Sequence, residues 1–301
     1  MKLTIGGRTP SAASACYLYT IACLLFIFGS TSRASASEPI LTAQEIIARM
    51  SVHADDYWVL TQEYTFLADI LIDDYETDGE IKKHMTLTER IYHYHGRRFF
   101  RKLTIDGRPL NADELKEEDT RESKFRARTQ KSIAANDSSD IHGRMDESAI
   151  LIKDLVGRYN YELAGLDTVR GRGVYVVNFT PRDGLKADTR RDKIFNELQG
   201  TVWIDTVQFR IMKSVGRLRR NVRIGWIAAN IDTVEIRYEQ QEIEPGIWMP
   251  LFVDARVSGS IFFFKKINRY TSADFYNFEE SSEDPPRYIE RFSIPTDETR
   301  E

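Results

Sequence analysis

Strict alternation of apolar and polar side chains is the feature that most constrains how this chain folds. In the segment from position 249 to 263, every odd position is apolar or small, whereas the even positions include Asp254, Arg256, Ser258 and Ser260. Successive side chains of a β-strand point to opposite faces of its sheet, so the pattern predicts a strand with one face turned inward. The odd positions are Met249, Leu251, Val253, Ala255, Val257, Gly259, Ile261 and Phe263.

Similar segments follow one another along the chain and are separated by tight turns. "TDGE" (Thr77 to Glu80) and "HGR" (His95 to Arg97) interrupt the segments before Ile105, and strand patterns resume at Tyr159. Asp-Gly between alternating segments is a strong hairpin signal. Because strands and helices do not alternate regularly, the sequence predicts a mainly β (α+β) fold, an incomplete antiparallel barrel with covering helices. We expect both groups of strands to share one sheet, since either group alone would leave exposed edges.

The hairpin predicted over 200–218 carries small residues where a packed core would carry larger ones. Met212, Ser214, Gly216 and Leu218 share one face if the chain turns at 205–208. Small residues on a sheet face leave volume that another group must fill. Two interpretations stay open: the face is a cavity wall for a ligand, or a helix fills the space.

Three helices are predicted. "LTAQEIIARM" has capping-box spacing and an apolar stripe of Ile46, Ile47 and Met50, so we expect it to act as a lid. The insert 111–135 is rich in charged helix formers, and we predict a solvated helix that folding does not require. A short helix is expected to end at Gly200, with this glycine as its C-terminal cap.

The first 36 residues have the order of a secretory signal peptide. Lys2 and Arg8 precede an apolar run, and "ASA" (Ala34 to Ala36) is a small-x-small cleavage signal. An uncleaved membrane anchor is the alternative. Both cysteines lie in this segment, so the mature chain would have no disulfide, which suits a bacterial periplasm. Residues 280–301 are expected to form a disordered tail, and 37–279 a single domain.

Sequence motifs do not support nucleic-acid binding, metal binding or catalysis. Cleavage after Ala36 would remove three basic residues and change the formal net charge from −4 to −7, with basic and acidic residues interspersed. His93 and His95 share one face of a predicted strand, but zinc sites need three or four ligands. We find no phosphate-binding loop, nucleophile elbow or HExxH. We therefore expect no cofactor, no metal and no enzymatic activity.

An apolar loop between charged segments is a second unusual feature. "GWIAAN" contains Trp226 and Ile227 and follows the basic tract "RLRRNVR". The loop could pack against the lid helix. It could instead be a membrane-docking finger, with Trp226 at the interface and the arginines near anionic headgroups.

The order of these segments resembles the LolA/LolB-like superfamily, in particular its larger secreted lipoprotein-sorting proteins. The resemblance rests on a capped helix before long antiparallel strands, on "GTVWID" with the returning "FRIMKSVGRL", on "VEIRYEQQEIEPGIWMPLFVDARVSG", and on "FKKINRYTSADFYNF". It is best from about Val174 to Phe278. It implies a half-barrel whose concave apolar face binds acyl chains in the periplasm.

This resemblance leads to a carrier hypothesis and one alternative. The carrier would bury acyl chains of a lipid or lipoprotein without covalent chemistry and contact membranes transiently. The alternative is an envelope scaffold or sensor that binds a lipoprotein and a membrane regulator, using the charged insert as a protein-binding surface. From the alternation of side chains along the predicted strands, we expect the cavity to be lined by Phe66, Ile70, Phe179, Met212, Gly216, Leu251, Val253, Ala255, Val257, Gly259 and Phe263.

Overall fold

The computed structural model describes residues 41–52, 62–135, 156–224, 229–261 and 265–281. Several predictions fall outside these residues and stay predictions: the signal peptide, the docking loop with Trp226 and Ile227, the cavity residue Phe263, and the tail beyond Ser281. Among the described residues, no helix is long and apolar enough to cross a membrane.

Twelve strands form one open antiparallel sheet, which confirms the predicted fold class. The strand order is β4-β3-β2-β1-β12-β11-β10-β8-β7-β6-β5, and β9 pairs with β10. Three helices have both ends within the described residues: α1 (Ala43–Val52), α2 (Ala112–Ala134) and α3 (Arg190–Phe195). The strands are β1 (Tyr64–Tyr75), β2 (Ile81–Tyr94), β3 (Arg97–Ile105), β4 (Arg108–Pro109), β5 (Tyr159–Val169), β6 (Arg172–Pro181), β7 (Leu198–Asp205), β8 (Ile211–Leu218), β9 (Val222–Ile224), β10 (Ala229–Glu244), β11 (Ile247–Ile261) and β12 (Lys265–Glu280).

The pairing of β1 with β12 joins the two groups of strands, as predicted. It runs from Tyr64 opposite Glu280 to Asp74 opposite Arg269, with one register shift near Thr65. The side chains of its last pair also form an ion pair, in which Arg269 Nε lies 2.6 Å from Asp74 Oδ1. β1 to β4, which precede the insert, therefore belong to the same sheet as the strands that follow it.

The register separates an apolar face from a polar face across the sheet. Directly paired residues lie on the same face, and one such row runs from Ala273 through Val253, Tyr238, Ser214 and Val202 to Val177. The neighbouring row on the other face contains Asp274, Phe252, Glu239 and Lys213. The alternation predicted for β11 is thus confirmed for Val253, Ala255 and Val257, which lie on the apolar face.

Two packed clusters occupy the two ends of the apolar face. At one end, Ile46 and Ile47 of α1 are fully buried against Val177, Val202 and Ile204 of β6 and β7. At the other end, β1, β2 and β11 contribute an aromatic-rich cluster. It consists of Tyr64, Phe66, Ala68, Ile91 and Met249, with Phe275 and Phe278 of β12 packed against it. The predicted lid helix therefore covers only one end of the sheet.

The charged insert forms α2, which packs on the polar face of β2 and β3. Phe125 contacts Phe99, with ring centroids 4.8 Å apart. Glu122 accepts hydrogen bonds from Tyr92 Oη, at 2.7 Å, and from Arg101. The buried residues of this helix are all polar: Glu118, Thr129 and Ser132. The helix thus buries little apolar area, as expected. Its carboxylates also pair with donors on β2 and β3, a contact that the sequence did not predict.

The prediction that a helix ends at Gly200 was wrong. α3 ends five residues earlier, and Asn196 is its C-cap. The Asn196 side chain donates to the carbonyl oxygens of Leu185 and Lys186, which ties this end of the helix to the preceding loop. Gly200 instead lies inside β7, where it pairs with Phe179 and Gly216.

We predict that Glu122→Gln weakens docking of α2 and changes the response to acid. Burial raises the pKa of Glu122, but the hydrogen bonds from Tyr92, Arg126 and Arg101 outweigh it and leave the pKa below its ordinary value. A depressed folded-state pKa contributes stability above the unfolded value near 4.5, and this stability is lost as the pH falls through the folded pKa. Urea unfolding at pH 7 should show a loss of about 1–2 kcal/mol in the variant.

The difference from the unmodified protein should shrink as the pH falls through the lowered pKa of Glu122, because both proteins then carry a neutral group at this position. Glu117→Gln is the matched control, since Glu117 is exposed on the same helix. An equal stability loss at all pH values, or an equal loss in the control, would contradict the assigned role of Glu122.

Candidate functional site

The middle of the apolar face lies between the two packed clusters. Ile236, Val253, Ala255 and Val257 belong to neither of these clusters among the described residues. The last three side chains are half-buried, and Ile236 is 37% exposed. We call the part of this face on β8, β10 and β11 the apolar strip. Three strands at ~4.8 Å spacing make it about 14 Å wide.

Small side chains line the centre of the apolar strip. One row of paired residues runs from Gly200 through Gly216, Ile236 and Ala255 to Thr271. Ile236 is the largest side chain in this row. Because its neighbours are small, we infer a shallow trough beside Ile236 at Ala255.

Neighbouring side chains cover two of these small residues, which modifies the cavity interpretation. A Cβ added at Gly216 would lie 3.3 Å from Cδ1 of Leu198. A Cβ added at Gly200 would lie 2.9 Å from the Phe179 ring and 1.9 Å from the carbonyl oxygen of Val215. These two glycines therefore allow close approach of their neighbours. Ala255 remains the small residue at the centre of the strip.

The predicted cavity residues occupy several different environments. Phe66 is buried in the aromatic-rich cluster, 5.5 Å from the Phe278 ring, and Ile70 packs beside that cluster. Phe179 lies over Gly200 and contacts the Tyr159 ring edge-to-face. Gly259 is buried close to the backbone of Asn230. Only Gly216, Val253, Ala255 and Val257 share the apolar strip.

Met212 and Leu251 lie at irregular positions that the alternation of side chains along a strand does not predict. Opposite β7, the register shifts between Lys213 and Ile211. Met212 packs with Val174 and Trp248 in a separate cluster and does not line the strip. Leu251 is half-buried at a second shift, between Pro250 and Phe252. A bulge adds one residue to a strand and shifts the side chains beyond it, so simple alternation fails at such points.

An open groove that sequence reasoning did not predict is lined mainly by residues of the polar face and also reaches Gly200, Gly216 and Ile236. It has a volume of about 810 Å³ and crosses β5 to β8 and β10 to β12. Basic and acidic side chains both line it. Arg237 pairs with Asp254 at 2.7 Å and also stacks on the Phe252 ring. The signal available in the sequence was the run of polar even positions in β11.

A buried ionic network stabilises one end of the strands. Asp205 is 1% exposed, and Arg172 bridges it to Glu242 with distances of 2.7 Å to each. Gln208 donates to Glu242 and accepts from the Trp248 indole, which connects the β7–β8 turn to the β10–β11 hairpin. Because its polar atoms pair with one another, we interpret this network as structural.

The histidines do not form a metal site among the described residues, which contain no group of three potential ligands. His93 is buried, and Arg98 donates to its Nε2 atom at 3.3 Å. Burial and then the Arg98 charge lower the pKa of His93 to about 3, so its ring is neutral at physiological pH. His84 instead pairs with Asp73 at 2.7 Å.

The chain is similar in fold to three solved bacterial structures. A DUF1329 family protein from Desulfovibrio piger is 14% identical with a TM-score of 0.34, covering 83% of this chain and 98% of that one. An outer membrane lipoprotein-sorting protein domain from Vibrio parahaemolyticus is 9% identical with a TM-score of 0.34, covering 79% and 92%. A LolA superfamily protein from Nitrosomonas europaea is 12% identical with a TM-score of 0.27, covering 83% and 97%.

No protein-family model and no curated protein sequence matches the chain.

We predict that Gly200→Ala destabilises the protein more than Gly216→Ala. The new methyl group at position 200 would collide with a backbone carbonyl oxygen, whereas at position 216 it meets the end of the Leu198 side chain, which can move. Overpacking of this kind costs about 1–3 kcal/mol. Thermal unfolding of the two variants under identical conditions measures the difference. Equal melting temperatures would show that β7 and β8 do not approach as closely as described.

Proposed function

We propose that this chain is a periplasmic carrier that binds acyl chains of a lipid or lipoprotein on its apolar strip, without covalent chemistry. The observation that carries this proposal is an apolar face whose two ends are packed and whose middle is half-exposed. Ile236, at 37% exposure, is the clearest member of that middle. An exposed apolar strip favours association with an apolar partner.

The shape of the strip favours a linear apolar chain as the occupant. Its length follows three long strands, and its width is limited by the cluster under α1 on one side and the aromatic-rich cluster on the other. A methylene chain has no polar groups to satisfy and fits a trough of small side chains. Each methylene group buried there contributes about 0.8 kcal/mol.

A scaffold or sensor that binds a membrane regulator is the second candidate. The outward face of α2 favours it, because Leu115 is 45% exposed there among charged residues. In that case the same sheet would bind a lipoprotein while α2 contacts a protein partner. The two candidates share an acyl ligand and differ in the need for α2.

We predict that Ala255→Trp abolishes binding of a fluorescent fatty acid to delipidated protein while leaving the melting temperature nearly unchanged. The indole would occupy the trough beside Ile236, which is open enough to accept it. Fluorescence titration and thermal unfolding of the same sample provide the two measurements. Gly216→Leu is unsuitable, because it would collide with Leu198.

Ser258→Trp is the matched control. Ser258 lies three residues further along the same strand on the polar face, where it bonds to Thr233. The control should bind the fatty acid like the unmodified protein. If the unmodified protein binds no acyl probe, or if both tryptophan variants lose binding equally, the proposed function is wrong.

A further inference from the structure

A second concave site lies at the carboxyl end of β8, beyond the apolar strip. It is a pocket of about 290 Å³ between the end of β6, the helix α3, and the segment from Arg219 to Arg223. We call it the basic pocket. The five basic residues that line it are Arg182, Lys193, Arg219, Arg220 and Arg223.

The basic pocket has an excess of positive charge in a chain whose formal net charge is −4. Two acidic residues, Asp183 and Glu197, line it beside the five basic ones, which leaves a formal excess of three positive charges. Glu197 is largely buried and is already paired, with Arg220 at 2.6 Å and Arg219 at 3.6 Å. The remaining basic side chains can therefore attract an anion.

The pairing of β7 and β8 ends one residue from this charge along each chain. Leu198 pairs with Leu218 in the last rung of apolar residues, and Leu198 also covers Gly216. Glu197 directly precedes β7 and Arg219 directly follows β8, and both residues line the basic pocket. The Arg219 N–H donates to the Glu197 carbonyl oxygen. Gly216 and Arg219 are three residues apart, about 10 Å along an extended chain.

We propose that the basic pocket receives the phosphate headgroup of a single phospholipid whose acyl chain lies along the apolar strip. This inference rests on the proposed function and adds the class of lipid. Lysine and arginine bind phosphate oxygens through charge-assisted hydrogen bonds. An apolar trough that ends at a cationic pocket matches an amphiphile with one anionic end.

The test compares two monoacyl lipids that have the same acyl chain and are kept below their micelle concentrations. Lysophosphatidic acid has an anionic phosphate monoester, whereas the matching monoacylglycerol has no phosphate and no charge. Lys193→Gln with Arg223→Gln removes two charges and keeps polar side chains of related length. The double variant should bind lysophosphatidic acid about tenfold more weakly and the monoacylglycerol unchanged, as measured by calorimetry.

Lys116→Gln with Lys124→Gln is the charge-matched control, because both lysines are exposed on α2. It should leave both affinities unchanged, which would exclude a general effect of net charge. Ala255→Trp should lose both lipids. If Ala255→Trp loses both lipids but the Lys193→Gln, Arg223→Gln variant keeps the lipid preference of the unmodified protein, the headgroup proposal is wrong and the carrier proposal stands.

Other outcomes also contradict the proposal. If the pocket variant loses binding of inorganic phosphate but keeps full affinity for lysophosphatidic acid, the pocket is a site for free anions. If it loses binding to phosphatidylglycerol vesicles and retains the monomeric lipid, the pocket docks on membrane surfaces instead. If the unmodified protein binds phosphate and neither lipid, both the headgroup assignment and the carrier function are wrong.

Discussion

The hydrogen-bonded pairing of β1 with β12 is the constraint on which the rest of the structure depends. It joins strands at opposite ends of the chain, and its Asp74–Arg269 ion pair links residues 195 positions apart. Without it, the two groups of strands would form separate sheets with additional exposed edges. Because it continues one register through both groups, the apolar sides of all the long strands face the same way. This pairing also places the aromatic-rich cluster at the end of the apolar face away from α1.

Sequence pattern predicted the faces of the strands but not their irregularities. Alternation in β11 correctly placed Val253, Ala255 and Val257 together, since side-chain direction in a strand is a local property. It failed for Met212 and could not describe Leu251, because a bulge depends on how two strands pair and leaves no reliable mark in either sequence. The covering of Gly216 by Leu198 likewise depends on register. For the same reason, the basic pocket combines residues from three segments that no single motif connects.

Charge was the most ambiguous signal in the sequence. The charged insert was expected to be solvated, yet Glu118 and Glu122 of α2 face the sheet and pair with Lys102, Arg101 and Tyr92. In "RLRRNVR", a similar density of charge produces an open concave surface instead. Composition does not distinguish these two outcomes. The difference lies in the partners: the carboxylates of α2 meet donors on β2 and β3, whereas at the basic pocket the cations outnumber the nearby carboxylates.

The irregular shape of β5 has a consequence for self-association. Among the described strands, β5 lies at one end of the sheet, and its pairing with β6 shifts between Leu163 and Gly165, where Gly165 has a φ of +147°. A flat edge would offer an uninterrupted row of N–H and C=O groups to another chain. The distortion breaks that row near its middle, and the opposite edge is only the two residues of β4. An open sheet of this length can therefore stay separate from its copies without closing into a full barrel.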